Sequence, residues 1–249
     1  MGIIYIGDRS VGKTHLALEL ANPTHQWVKV QEPGYDYLQA ILMDSYSNTT
    51  KATDANREVD KRFLSIQASL PSGLKSLSLD WIDTPGEIWR TVWQAENPTK
   101  WNQFLTTIRE SEGILLVLPP WRELVPPEIS SEYFPHFSWC KRFERWVDFF
   151  QQDCPKAKHI VICLNKADLF CDLQQESERL KFDPSHNPMT WQQRHSWVSQ
   201  RYFADVRSQL EAMSRSTTGL AVRCFITSIK NRSLLELPWI YLASFLARS

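Results

Sequence analysis

Apolar positions divide the chain into short runs and helical stripes. Ile3, Ile4, Tyr5 and Ile6 make a run the length of one buried strand, which enters a glycine-bounded turn and then a helix over about 13–21. A long, increasingly polar stretch follows over roughly 31–60. Its second half has no periodicity and reads as a loop. Leu64, Ile66, Ala68 and Leu70 then alternate with polar residues, as do Leu77, Leu79 and Trp81. Pro71-Ser72-Gly73 lies between the two runs, which predicts an antiparallel hairpin. Asn97-Pro98 caps a helix carrying Trp101, Phe104, Leu105 and Ile108 on one face. Ile114–Leu118 and His159–Leu164 are buried strands, and Trp139, Phe143, Trp146 and Phe150 recur between them at helical spacing. The last third predicts one long helix over about 190–214, a strand over 220–226 and a C-terminal helix opened by Pro238. Strands alternating with helices imply an α/β fold in three layers: a mostly parallel six-stranded sheet with one antiparallel strand and helices on both faces.

At 249 residues the pattern fits one domain over 1–249, with two segments that look inserted. Residues 119–137 carry five prolines, and 169–190 hold an expected extra helix followed by Asp183-Pro184-Ser185-His186-Asn187-Pro188. Lysine plus arginine equal aspartate plus glutamate at 28 each, so no global field draws nucleic acid or anionic lipid. The basic and aromatic run 139–146 puts its aromatics on one helical face, which fits an amphipathic helix better than a nucleic-acid contact. Five cysteines form no C-x-x-C pair, and no apolar run is long enough for a signal peptide or a membrane span. A cytoplasmic protein without membrane insertion is the expectation.

Three motifs carry chemistry. Gly7-Asp8-Arg9-Ser10-Val11-Gly12-Lys13-Thr14 fits G-x-x-x-x-G-K-[ST] between a strand and a helix. Backbone N–H groups of such a loop cradle phosphates, Lys13 neutralises them, and the Thr14 hydroxyl is a Mg²⁺ ligand. Asp83-Thr84-Pro85-Gly86 ends the second hairpin strand, where Asp83 can hold Mg²⁺ and the Gly86 N–H can approach a γ-phosphate. Asn165-Lys166-Ala167-Asp168 follows another strand. The Asp168 carboxylate can accept from guanine N1–H and the 2-amino group, donors that adenine lacks, and the Lys166 stem can lie over the base.

In that order these motifs resemble the Ras-like P-loop GTPases of the translation-factor-related class, in which an antiparallel strand also precedes D-x-x-G. Among these the chain looks more like the large, insert-bearing domains of bacterial multi-component systems than like Rab, Rho or Arf proteins. The resemblance implies GTP/GDP and Mg²⁺ as cofactors. It also implies a fifth motif at Thr227-Ser228-Ile229-Lys230, where the Ser228 N–H would meet the guanine oxygen and Lys230 would cover the ring; Ile229 stands where the family has alanine. A switch threonine is implied in the polar loop, with Thr53 preferred over Thr50 and Thr49. Two features depart from the family. Glu87 replaces the water-orienting glutamine, and Arg9-Ser10 stand within the phosphate loop, with Ser10 where dynamin-like proteins carry a catalytic serine. Glu87, Thr53, Ser10 and Arg9 are therefore the catalytic candidates.

Two functions fit: a slow GTP-hydrolysing switch, or a GTP-binding interaction module of a larger assembly. In either, the switch loops, the inserts and the exposed-looking Trp89 and Trp93 offer a surface for a protein effector or for self-association.

Overall fold

The computed structural model describes residues 2–8, 10–43, 60–83, 91–186, 188–216 and 219–247. Among these residues the sheet has seven strands, not six. They are β1 (Ile3–Gly7), β2 (Val28–Glu32), β3 (Asp60–Leu70), β4 (Gly73–Asp83), β5 (Gly113–Leu118), β6 (His159–Leu164) and β7 (Ala221–Ile226), in spatial order β2-β3-β4-β1-β5-β6-β7. β3 runs antiparallel to both β2 and β4, and the remaining pairings are parallel. Every residue of β1 and β5 is buried, so helices must cover both faces there. The chain leaves β1 between β4 and β5, where the order of connection reverses. Open α/β sheets form their ligand crevice at such a point, beyond the carboxyl ends of the strands.

The uncounted strand is β2. Val28 and Val30 are buried and alternate with exposed Lys29 and Gln31 over only five residues. What fixes it is remote in sequence. Glu236, fully buried, accepts N–H bonds from Gln26, Trp27 and Val28 at 2.9, 2.6 and 3.1 Å. Arg232 pairs with Glu236 at 2.5 Å and also donates to the carbonyls of Leu20 and Val28. A buried ion pair is tolerable only when its remaining donors and acceptors are matched, and here they tie the end of α1 (Lys13–Ala21) and the start of β2 to α9 (Arg232–Leu246).

The polar stretch after β2 also holds a helix, α2 (Tyr35–Leu42), before the described residues break off at 43. α3 (Thr91–Glu96) and α4 (Pro98–Arg109) follow, the latter with proline in its first turn as expected. The 119–137 segment has two short 3₁₀ turns and leads into α5 (His136–Asp153). The extra helix expected in 169–190 is α6 (Leu173–Leu180).

Two helices differ from expectation. The long helix over 190–214 is two, α7 (Trp191–Tyr202) and α8 (Arg207–Ser216), separated where Phe203 leaves helical geometry and Ala204–Val206 form a 3₁₀ turn. Pro238 does not open the last helix but lies inside α9, which Asn231 caps by accepting the Leu234 N–H at 3.0 Å. An internal proline costs about 3 kcal/mol. The cap and the burial of ten consecutive residues, Leu234–Ala243, offset it. Trp93, read as exposed, is partly buried against the core. No helix among the described residues is long and apolar enough to cross a membrane.

Candidate functional site

The phosphate loop is shaped by two glycines with no room for a side chain. A Cβ on Gly7 would lie 2.3 Å from the Val117 carbonyl oxygen of neighbouring β5. A Cβ on Gly12 would lie 2.8 Å from the Asn165 amide nitrogen, and Gly12 has φ +90°, a conformation L side chains rarely adopt. Ser10 also has positive φ, at 60°. Such left-handed residues turn successive N–H groups toward one concavity, the arrangement that binds anions. No side chain caps α1, so its first N–H groups remain directed at the loop mouth with the positive end of the helix dipole. Lys13 is 6% exposed, and its ammonium donates to the carbonyls of Gly7 (2.8 Å) and Asp8 (2.9 Å) across the loop. Tyr5 donates its hydroxyl to the Lys13 carbonyl at 3.1 Å, and buried Val11 anchors the far side. Gly7, Asp8, Ser10, Val11, Gly12, Lys13 and Thr14 are thus brought together. Arg9 lies outside the described residues.

Asp83 is the last residue of β4, which pairs with β1, so its backbone ends at the same sheet edge as the phosphate loop. Gly86, Glu87, Thr53 and the alternatives Thr49 and Thr50 lie outside the described residues, as does Trp89.

The second half of the site is assembled from β6 and β7. Asn165 is buried; its Nδ2 donates to the Val11 carbonyl at 2.7 Å, and its Oδ1 accepts from the Thr227 hydroxyl at 3.1 Å. One side chain therefore joins the phosphate loop to both later motifs. Backbone bonds lock those motifs together: Ala167 N–H to the Thr227 carbonyl at 3.0 Å, and Thr227 N–H to the Leu164 carbonyl at 3.0 Å. The Ser228 hydroxyl donates to Asp168 Oδ1 at 2.7 Å, and Lys230 Nζ pairs with Oδ2 at 2.8 Å. Burial alone would raise the Asp168 carboxyl, but the hydrogen bonds from Lys230 and Ser228 outweigh it and hold the group below its ordinary value. It is an anion, hence an acceptor, at neutral pH. Ile229 is 43% exposed beside it.

Lys166 adopts a left-handed conformation (φ 60°), and its ammonium donates to the Tyr133 hydroxyl at 3.1 Å. His15 is half-buried in the first turn of α1; burial, and then the Lys166 charge, lower its pKa, so the imidazole is neutral.

Three residues at this edge were not singled out from the sequence: Tyr133, Phe134 and Arg142. Arg142 was assigned to the solvated side of an amphipathic helix, yet it pairs with Asp8 of the phosphate loop at 3.1 Å. The one available signal was Asp8 itself, an acidic side chain in an anion-binding loop.

No protein-family model and no curated protein matches the sequence. Among solved structures, the chain is similar to the signal recognition particle receptor SRb-GTP/SRX complex of Chaetomium thermophilum. Identity is 12% and the TM-score 0.48, over 98% of this chain and 97% of that one. It is also similar to a GTP-binding protein of the hyperthermophilic archaeon Sulfolobus solfataricus in complex with GDP. There identity is 12% and the TM-score 0.47, over 98% of this chain and 53% of that one, so this chain spans about half its length. Both likenesses are distant, and the chemistry proposed below stands on this chain's own residues.

Proposed function

We propose that the chain is a Mg²⁺-dependent guanine-nucleotide-binding protein that hydrolyses GTP slowly and acts as a molecular switch. The observation that carries this is the Asn165 bridge: its amide nitrogen on the Val11 carbonyl and its amide oxygen on Thr227 hold a phosphate cradle and a base-recognition carboxylate in one rigid arrangement. Lys13 and the N–H groups of the loop and of α1 face the polyphosphate. Asp168 accepts from guanine N1–H and the 2-amino group, the Lys166 stem covers the base, and Ser228 and Lys230 orient Asp168. Adenine offers neither donor, so both of these contacts would be lost.

A hard dication fits the oxygen donors Thr14, in the first turn of α1, and Asp83, the last residue of β4. When bound there, Mg²⁺ would neutralise phosphate charge. Thr53 is proposed as the switch threonine and the Gly86 N–H as the γ-phosphate contact. Glu87 supports slow turnover: a carboxylate near the γ-phosphate repels charge that a glutamine amide would help stabilise. Ser10 and Arg9 are the other candidates for the hydrolytic step. The nucleotide state would be read by a protein effector or a second copy through the loops around 45–60 and 84–96 and the inserts.

The test is equilibrium binding to the purified protein with Mg²⁺. GTP and GDP should bind in the micromolar range or tighter and ATP about a hundredfold more weakly. Equal affinity for ATP and GTP would overturn the guanine assignment.

A further inference from the structure

The 119–137 segment departs from β5 at the edge that holds the phosphate loop. It is folded onto itself and onto α5 by a closed set of bonds. Arg122 donates its N–H to the Phe134 carbonyl at 2.8 Å and its Nε to the Tyr133 carbonyl at 3.2 Å. Glu123 accepts the His136 N–H at 2.8 Å, and the Trp139 indole donates to the Pro119 carbonyl at 2.8 Å. Trp121 packs on Trp139 with ring centroids 5.0 Å apart. A proline-rich loop fixed this way presents neighbouring residues in a set direction, and the two it presents toward the site are Tyr133 and Phe134.

Tyr133 is 8% exposed, accepts from Lys166 Nζ, and lies with its ring centroid 5.1 Å from that nitrogen. The Phe134 ring centroid lies 3.8 Å from the Arg142 guanidinium carbon, and that guanidinium pairs with Asp8. One segment therefore reaches the base-recognition loop through Tyr133 and the phosphate loop through Arg142. The second contact answers an electrostatic problem. A carboxylate at the second position of a loop that must hold polyphosphate repels its ligand, and at this partly buried position water screens it poorly. The Asp8 side chain is 18% exposed, and Arg142 supplies the compensating charge, steadied by stacking on Phe134.

We infer that the 119–137 segment and Arg142 form a strap that sets both halves of the nucleotide site, Arg142 by masking Asp8 and Tyr133 by holding Lys166. Both are positioning residues. This rests on the guanine-nucleotide reading above.

The experiment compares GDP and pyrophosphate binding to the full chain and its variants at low and high salt. Arg142→Ala should weaken both ligands by about tenfold, more at low salt than at high, because the exposed Asp8 charge is screened. Adding Asp8→Asn to that variant should restore affinity to within about twofold, which a purely structural role for Arg142 would not do. Tyr133→Phe should weaken GDP by about threefold and leave pyrophosphate unchanged. Where Arg142→Ala melts, Arg142→Gln carries the same rescue test. The strap is overturned if the Arg142 variants bind like the parent, if Asp8→Asn repairs nothing, or if Tyr133→Phe leaves GDP binding unchanged. A parent that binds no GDP overturns the nucleotide assignment and the strap together, whereas a GDP-binding parent with indifferent variants overturns the strap alone.

Discussion

The two halves of the site are built in different ways. The phosphate half is local: a strand, an eight-residue loop and a helix turn, closed by Lys13 on its own loop carbonyls. The base half is assembled from distant segments, with Asp168 held by Ser228 and Lys230 and Lys166 met by Tyr133. Local geometry needs little more than the right residues in order. The assembled half depends on the sheet keeping β6 beside β7, and on Asn165 keeping both beside the loop. Damage should therefore spread differently from each half.

The largest effect is expected at the local half. Lys13→Ala removes a cation buried in the loop and should lower GDP and GTP affinity by more than about a hundredfold, while the nucleotide-free protein loses only about 1–3 kcal/mol of stability with the two carbonyl contacts. Calorimetric titration beside thermal denaturation checks both parts. A variant that binds like its parent would reduce the loop to a turn.

Asn165→Ala should act on both halves at once. It leaves the Val11 carbonyl and the Thr227 hydroxyl without their partner, at about 1–3 kcal/mol of stability. GDP affinity should also fall by about tenfold, from loss of alignment. Denaturant unfolding and titration of the same sample separate the two losses. Stability lost with affinity kept would show that the halves align without the bridge.

The smallest effect lies outside the site. His195 accepts the Cys224 N–H on the edge strand β7 at 3.1 Å, and His159 meets the Tyr241 hydroxyl at 2.7 Å. Burial first, then the Arg223 charge, lowers both to about 4. An unfolded chain protonates these rings near 6.5, so it binds more protons than the folded one between about pH 6.5 and 4, and stability falls as pH falls through that window. With partial exposure discounted, about 1 kcal/mol for each ring should be lost between pH 7 and pH 5. Asp168 titrates below its ordinary value, so guanine preference should hold over the same range. Melting curves and GDP titrations across pH check this; selectivity that fades with stability would place a titrating group in the base half.

The same contrast explains what could be read from the chain. The loop motif, the hairpin and the buried strands are local patterns and stood out. β2 did not, because two buried valines in five residues are too few, and the Glu236 and Arg232 contacts that secure it lie some two hundred residues away. The break after Tyr202 was hidden because Tyr202, Val206 and Leu210 keep a spacing of four through the 3₁₀ turn. Pro238 misled because an internal proline ordinarily ends a helix, while the better signal was the Asn231 cap. In the site, motif residues were legible, and Arg142 and Tyr133 were not, because nothing in a sequence says which helix faces a loop.

The central claim is that Asp168 reads the base. The direct measurement is the affinity of Asp168→Asn for guanosine and xanthosine diphosphates beside the parent. The account predicts that the parent prefers the guanosine form. The variant should lose about a hundredfold for it and gain for xanthosine, whose extra carbonyl accepts from the new amide. A variant that keeps the parent's guanosine preference would contradict it.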